Sequence, residues 1–167
     1  MVWPPSLLVT LQESGILVLH FRVDVKYLCE VGKRYCWPKP STCPGCGGMR
    51  LWGHGFVGRY FEGFVNPLWM KRFRCPDCTA VHTGRPGGFL NGIRSPAEVV
   101  RSCLAAKITN NRWLRSVSRQ NQQYWFHCLR MWTSRLSNAT LLSLAHLESF
   151  VSARIFSVTE HFAPLRM

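Results

Sequence analysis

The chain has 167 residues, a net charge of +13 at neutral pH and a sequence pI near 10.0. Lysine and arginine total 21 against 8 acidic residues, a balance that points to a polyanionic partner and places nucleic acid ahead of a membrane surface or an acidic protein. The length permits one medium domain or two small ones.

Residues 1–35 read as an N-terminal arm. Met1–Ser6 lacks the basic start of a signal peptide. The apolar runs Ser6–Leu11 and Gly15–Phe21 are far shorter than the roughly 20 residues a bilayer span needs, so no membrane is expected. A cytoplasmic setting is expected from the same features. Ile16–Val25 alternates as a short strand, preceded by Gly15. No chemistry is assigned to the arm. Trp37-Pro38-Lys39-Pro40 predicts a stiff, extended lead into Cys43.

Residues 36–94 carry the strongest signal, two Cys-Pro-x-Cys knuckles at Cys43-Pro44-Gly45-Cys46 and Cys75-Pro76-Asp77-Cys78. The two-residue spacer lets both sulfurs of a knuckle reach one metal, and four thiolates complete a tetrahedral zinc site. One structural zinc ion held by Cys43, Cys46, Cys75 and Cys78 is therefore expected. Gly47-Gly48 lets the chain turn back beneath it. Disulfides or free thiols are the competing account; neither a secretory start nor paired spacing of Cys29, Cys36, Cys103 and Cys128 favours them. His54 and His82 could each replace a cysteine, but two complete pairs already fill a tetrahedral site. Between the knuckles, Met49–Arg74 predicts strand, turn, strand. Alternation puts Arg72 and Arg74 on one face, suited to phosphate, and Phe73 on the other. Thr83–Gly92, with Arg85-Pro86-Gly87-Gly88 at its centre, predicts a loop, and Arg85 is a further nucleic-acid-binding candidate.

Residues 95–135 predict three helices. Ser95, Pro96 and Glu98 have a capping-box pattern, and Val99, Val100, Cys103, Leu104 and Ile108 come after them at helical spacing. Thr109-Asn110-Asn111 breaks that helix, and Arg112–Ser116 reads as a short second one. After the turn Ser116-Val117-Ser118, Trp125, Cys128, Leu129 and Trp132 form an apolar stripe. The order suggests a helix-turn-helix unit. Its last helix would enter the major groove, with Arg115, Arg119, Gln120, Gln122, Gln123, His127 and Arg130 as DNA-contacting candidates. Arginine suits guanine and glutamine suits adenine. An ordinary amphipathic helix with a wet polar face has the same pattern. Residues 136–167 predict a C-terminal amphipathic helix over about 139–156, capped by Asn138. Its stripe is Leu141, Leu144, Leu147, Val151 and Ile155. That stripe packs on the helical unit, pairs with a second copy or binds a larger protein. The glycosylation sequon at Asn138 is a chance match.

The stretch from Cys43 to about Trp132 resembles small bacterial mobile-element proteins, in which a zinc ribbon precedes a helix-turn-helix, as in the N-terminal parts of insertion-sequence transposases. The matching segments are CPGCGG at 43–48, RLWGHG at 50–55, RYFEG at 59–63, KRFRCPDCTAVHTGRP at 71–86 and SRQNQQYW at 118–125. The resemblance implies double-stranded DNA as partner, often element ends, a transposase or a second copy as protein partner, and a bacterial, nucleoid-associated setting. It departs from a complete transposase: the 8 acidic residues suggest no triad, and a nuclease core is not expected in this sequence.

The expected fold is α+β: a small antiparallel four-cysteine zinc ribbon, a helix-turn-helix-like domain and a C-terminal helix. The expected function is zinc-stabilised DNA binding without enzymatic activity; GxSxG, HExxH and phosphate-loop patterns are missing from the sequence. RNA binding is the alternative, with Trp52, Tyr60, Phe61 and Phe73 stacking unpaired bases. A rubredoxin-like iron carrier ranks below both.

Overall fold

The computed structural model describes residues 18–136 and 141–155. It is α+β, with one four-stranded mixed sheet and four α-helices. Two compact units divide these residues: the first takes 18–60 and 64–86, the second 61–63 and 87–155. The divide comes after Pro86, earlier than the boundary expected at 94. Among the described residues no helix is long and apolar enough to cross a membrane.

The first unit contains β1 (Val18–Phe21), α1 (Val25–Val31), a 3-10 turn over Gly32–Arg34, β2 (Trp52–Arg59), β3 (Leu68–Arg74) and β4 (Val81–Pro86). The sheet order is β1-β4-β3-β2. Strands β2, β3 and β4 pair antiparallel, and the β2–β3 pair is the hairpin expected between the knuckles. β1 joins β4 in parallel, with Leu19 opposite Gly84 and Phe21 opposite Pro86. The sheet is therefore mixed, not the purely antiparallel ribbon expected.

Residues 18–35, expected to form part of a separate N-terminal arm, are integral to this unit. Leu19 and Leu28 are fully buried, and Phe21 nearly so. The expected strand over Ile16–Val25 begins outside the described residues and stops early. Asp24 ends it by accepting hydrogen bonds from the amides of Lys26 and Tyr27 at 2.9 and 3.1 Å, which starts α1. Gly32, at φ +60°, ends the helix and returns its amide to the Leu28 carbonyl.

β4 also corrects the expectation of a loop from Thr83. The glycine that suggested a loop serves close packing. A Cβ on Gly84 would lie 3.0 Å from Phe21 Cε2 and 3.1 Å from Trp37 Cε3. Any side chain at this position would force those two rings to give way. Phe21 meets Trp37 edge-on at 5.8 Å and Phe73 at 6.3 Å between centroids. The Trp37 indole donates to the Trp69 carbonyl at 3.2 Å, and Lys33 Nζ sits 4.1 Å above the Trp69 ring.

The second unit is a three-helix bundle of α2 (Ala97–Asn110), α3 (Arg119–Leu136) and α4 (Leu144–Ala153), each packed on the other two. Val100, Cys103 and Leu104 of α2 meet Trp125 and Leu129 of α3 and Leu147, Phe150 and Val151 of α4 in one core. Arg101 pairs with Glu98 and, across to α4, with Glu148, both at 3.1 Å. Phe61 joins this unit by packing on Phe89, 4.6 Å between centroids.

The apolar stripes of α2 and α3 match expectation, but three details do not. The Ser95 capping box does not form: the Ala97 amide goes to the Gly88 carbonyl at 2.7 Å, and Ser95 is buried. The short helix over 112–116 is a loop. Asn111, in the left-handed region at φ +52°, closes α2, and a glutamine of α3 holds the backbone of that loop. The unit of three helices within 95–135 therefore holds two, and α4 supplies the third. α4 itself starts at Leu144, not near 139. Ser143 caps it, accepting from the His146 amide while His146 Nδ1 accepts from the Ser143 amide. Leu141 and Leu144 stay exposed while Leu147 and Val151 are buried, so much of the expected stripe is consumed within the bundle. The expected cap Asn138 lies outside the described residues.

Candidate metal centre

The two knuckles are copies of one turn. The Cys43 amide donates to the Gly48 carbonyl at 2.7 Å, and the Cys75 amide donates to the Ala80 carbonyl at 2.9 Å. After each second cysteine the backbone turns left-handed, at Gly47 (φ +76°) and at Thr79 (φ +62°). A β-branched residue in that region is strained, and the surrounding turn imposes it. The first knuckle leads toward β2, and the second joins β3 to β4, so the sheet presents both tips to one point.

There the sulfurs of Cys43, Cys46, Cys75 and Cys78 all lie within 4.8 Å of one another. Cys43 Sγ is 3.7 Å from Cys78 Sγ, and Cys46 Sγ is 3.6 Å from Cys75 Sγ. A tetrahedron of thiolates about 2.3 Å from a zinc ion has sulfur–sulfur edges of roughly 3.8 Å. The residues thus fit one metal ion bound by four thiolates. The cysteines are not disulfide-bonded.

The surroundings suit thiolates. The Gly45 and Cys46 amides aim at the Cys43 sulfur, the Asp77 and Cys78 amides at Cys75, and the Gly48 amide at Cys46, 3.4 Å away. Without a metal the buried thiols diverge. Burial pushes Cys43 up to about 12, whereas the Cys78 amide chiefly pulls Cys75 down to about 7. Arg50 pairs with Asp77 and so ties the approach to β2 to the second knuckle. Gly48 leaves room for that contact: a Cβ there would lie 2.4 Å from Asp77 Oδ2.

His82 is not a fifth ligand but a neighbour. Fully buried on β4, it brings Nε2 to 3.2 Å from Cys43 Sγ. Among the described residues its Nδ1 has no hydrogen-bond partner. We place the ring proton on Nε2, where it donates to the sulfur. Burial also lowers the His82 pKa, which keeps the ring neutral. Such outer contacts orient a ligand and modulate its charge. The sequence signal for this role was the position of His82 just beyond the second knuckle. His54 lies on β2, outside the ligand cluster.

The expected nucleic-acid residues fall on both units. Arg72 and Arg74 share a face of β3, opposite Thr83 and Val81, and Arg74 is exposed. Arg85 is half-buried in β4; burial, with repulsion from Arg59, lowers it to about 10. On the second unit Arg115, Arg119, Gln120, Gln123, His127 and Arg130 are exposed. Gln122 is not available: it is fully buried, and its amide is committed to the loop before α3. Of the aromatics offered for base stacking, Phe61 and Phe73 are buried, whereas Trp52 and Tyr60 are exposed.

No protein-family model, curated protein or solved structure matches this chain.

Proposed function

We propose that this protein binds double-stranded DNA through the outer face of α3 and that one structural zinc ion stabilises its first unit. The carrying observation is the division of α3 into two faces. Gln122, Trp125, Leu129 and Thr133 face the bundle, while Arg119, Gln120, Gln123, His127 and Arg130 recur at helical spacing on the solvent side. The helix contains no acidic residue. A major groove admits such a helix, its glutamines fit adenine, and its arginines suit the phosphates that flank the groove. A hollow of about 460 Å³ over residues 113–119 lies beside Arg115 and Arg119, at the entry to α3, and offers room for a backbone phosphate. The order α2, connection, α3 keeps the sense of a helix-turn-helix, with a clamped loop as the connection. The mobile-element resemblance suggests element-end DNA as the target.

Zinc is the preferred metal because four soft thiolates in a tetrahedron suit it and leave no position for water. Bound there, zinc would supply folding free energy rather than catalysis. Iron fits the same donor set, and a visible charge-transfer band would reveal it.

The test is fluorescence anisotropy of zinc-loaded protein with a labelled duplex. The double variant Arg119→Gln/Arg130→Gln should weaken binding by about tenfold or more while the urea midpoint stays unchanged. Unchanged affinity would remove α3 from the interface. Wild-type protein that binds no duplex would end the DNA reading.

A further inference from the structure

The sheet of the first unit carries an aromatic and two arginines that the α3 interface does not use. Trp52 opens β2, the edge strand, and is 58% exposed. It lies directly across from Arg74 on β3, so the two side chains leave the same face as neighbours. Arg72 stands two residues along on that face. Its guanidinium approaches Gly55 of β2: a Cβ there would be 3.8 Å from Arg72 Nη2. Among the described residues Arg72 Nε is buried without a hydrogen-bond partner. The neighbouring Lys71 points the other way, its Nζ 4.3 Å over Phe56.

Among the described residues neither Arg72 nor Arg74 forms an ion pair with a carboxylate. Within the described part of this unit the acidic residues are Asp24, Glu30 and Asp77. Asp24 caps α1, Glu30 lies within α1, and Asp77 is paired with Arg50. Helix α1 and the turn after it cover the opposite face of the sheet, where Lys33 sits over Trp69. An exposed indole flanked by cations suits a flat aromatic ligand that carries phosphates. A duplex hides its base faces in the stack. An unpaired nucleotide offers both a π-face and a flexible phosphate.

We propose that Trp52, Arg72 and Arg74 form a platform that stacks an unpaired base and holds its flanking phosphate, so that the first unit binds single-stranded nucleic acid. This rests on the reading of the protein as a nucleic-acid binder and adds a second, structurally distinct substrate class to it.

The test uses the full zinc-loaded chain and three labelled probes: oligo-dT, oligo-U and a blunt duplex. Trp52→Ala should weaken single-strand binding about tenfold or more, as loss of a stacked base does elsewhere, and leave duplex affinity unchanged. Trp52→Phe should keep most of the binding, because a ring remains. Arg74→Gln should weaken it and flatten its salt dependence. Because Trp52 is exposed, metal content and the urea midpoint should not move. The strand that binds more tightly, DNA or RNA, names the natural source of the unpaired base. If Trp52→Ala binds oligo-dT and oligo-U as tightly as wild type while the duplex is still bound, the platform is refuted alone. If wild-type protein binds none of the probes, the nucleic-acid reading fails with it.

Discussion

Adjacent glutamines on α3 should behave in opposite ways. Gln122 is fully buried. Its Oε1 accepts from the Leu114 amide at 3.0 Å, and its Nε2 donates to the carbonyls of Leu114 and Val117, each at 2.8 Å. Gln122→Ala removes all three bonds and leaves a half-buried loop with unpaired groups. At about 1 kcal/mol net for each neutral bond, the loss is about 3 kcal/mol. For a small unit that corresponds to a fall in urea midpoint of about 2 M. Gln122→Glu should be at least as damaging, because it replaces two donated bonds with an anionic oxygen facing two carbonyls. Gln123 is exposed, so Gln123→Ala should leave the midpoint in place and weaken discrimination between duplex sequences. Helical circular dichroism through a urea titration reads the first effect, and anisotropy reads the second. A Gln122→Ala midpoint equal to wild type would refute the loop clamp and reopen Gln122 as a contact residue.

Removing the imidazole in His82→Ala should speed metal loss and lower metal affinity by about tenfold or more, read by competition with a chromophoric chelator. Equal retention would show that the contact with Cys43 is incidental. Gly84→Ala should cost about 1–3 kcal/mol, because its methyl would press on Phe21 and Trp37 within 3.0–3.2 Å; thermal unfolding of the zinc-loaded chain measures it. Metal affinity should rise with pH through neutrality. Cys43, raised to about 12 by burial, is protonated there and must lose its proton on binding, whereas Cys75, lowered to about 7, is half ionised already. The affinity should therefore climb about tenfold or more per pH unit, and calorimetry in buffers of different ionisation enthalpy should show proton release. A pH-independent affinity would contradict the thiol assignment.

The metal ligands were legible because chemistry fixes their spacing: two sulfurs two residues apart can share an ion wherever the fold places them. The apolar stripes of α2 and α3 were legible for a similar reason, since a helix converts spacing directly into a face. The edges of the fold were not. β4 was hidden by Gly84, whose absent side chain reflects two aromatic rings from elsewhere in the chain. β1 was legible as a strand, but its parallel pairing depends on a distant partner. Gln122 showed the polar character of a base-reading residue, and only the fold of the loop at 112–118 turns it inward. The stripe on the last helix was read one turn too far toward its start, because Leu141 and Leu144 continue the spacing of Leu147 and Val151 without sharing their burial.

DNA binding by α3 is tested most directly by the salt dependence of duplex affinity for the zinc-loaded chain. With Arg115, Arg119 and Arg130 and one further contact engaging phosphates, log K should fall linearly with log salt at a slope of about −3.6. Arg119→Gln/Arg130→Gln should reduce that slope by about 2. A shallow slope that the double variant leaves unchanged would contradict the account.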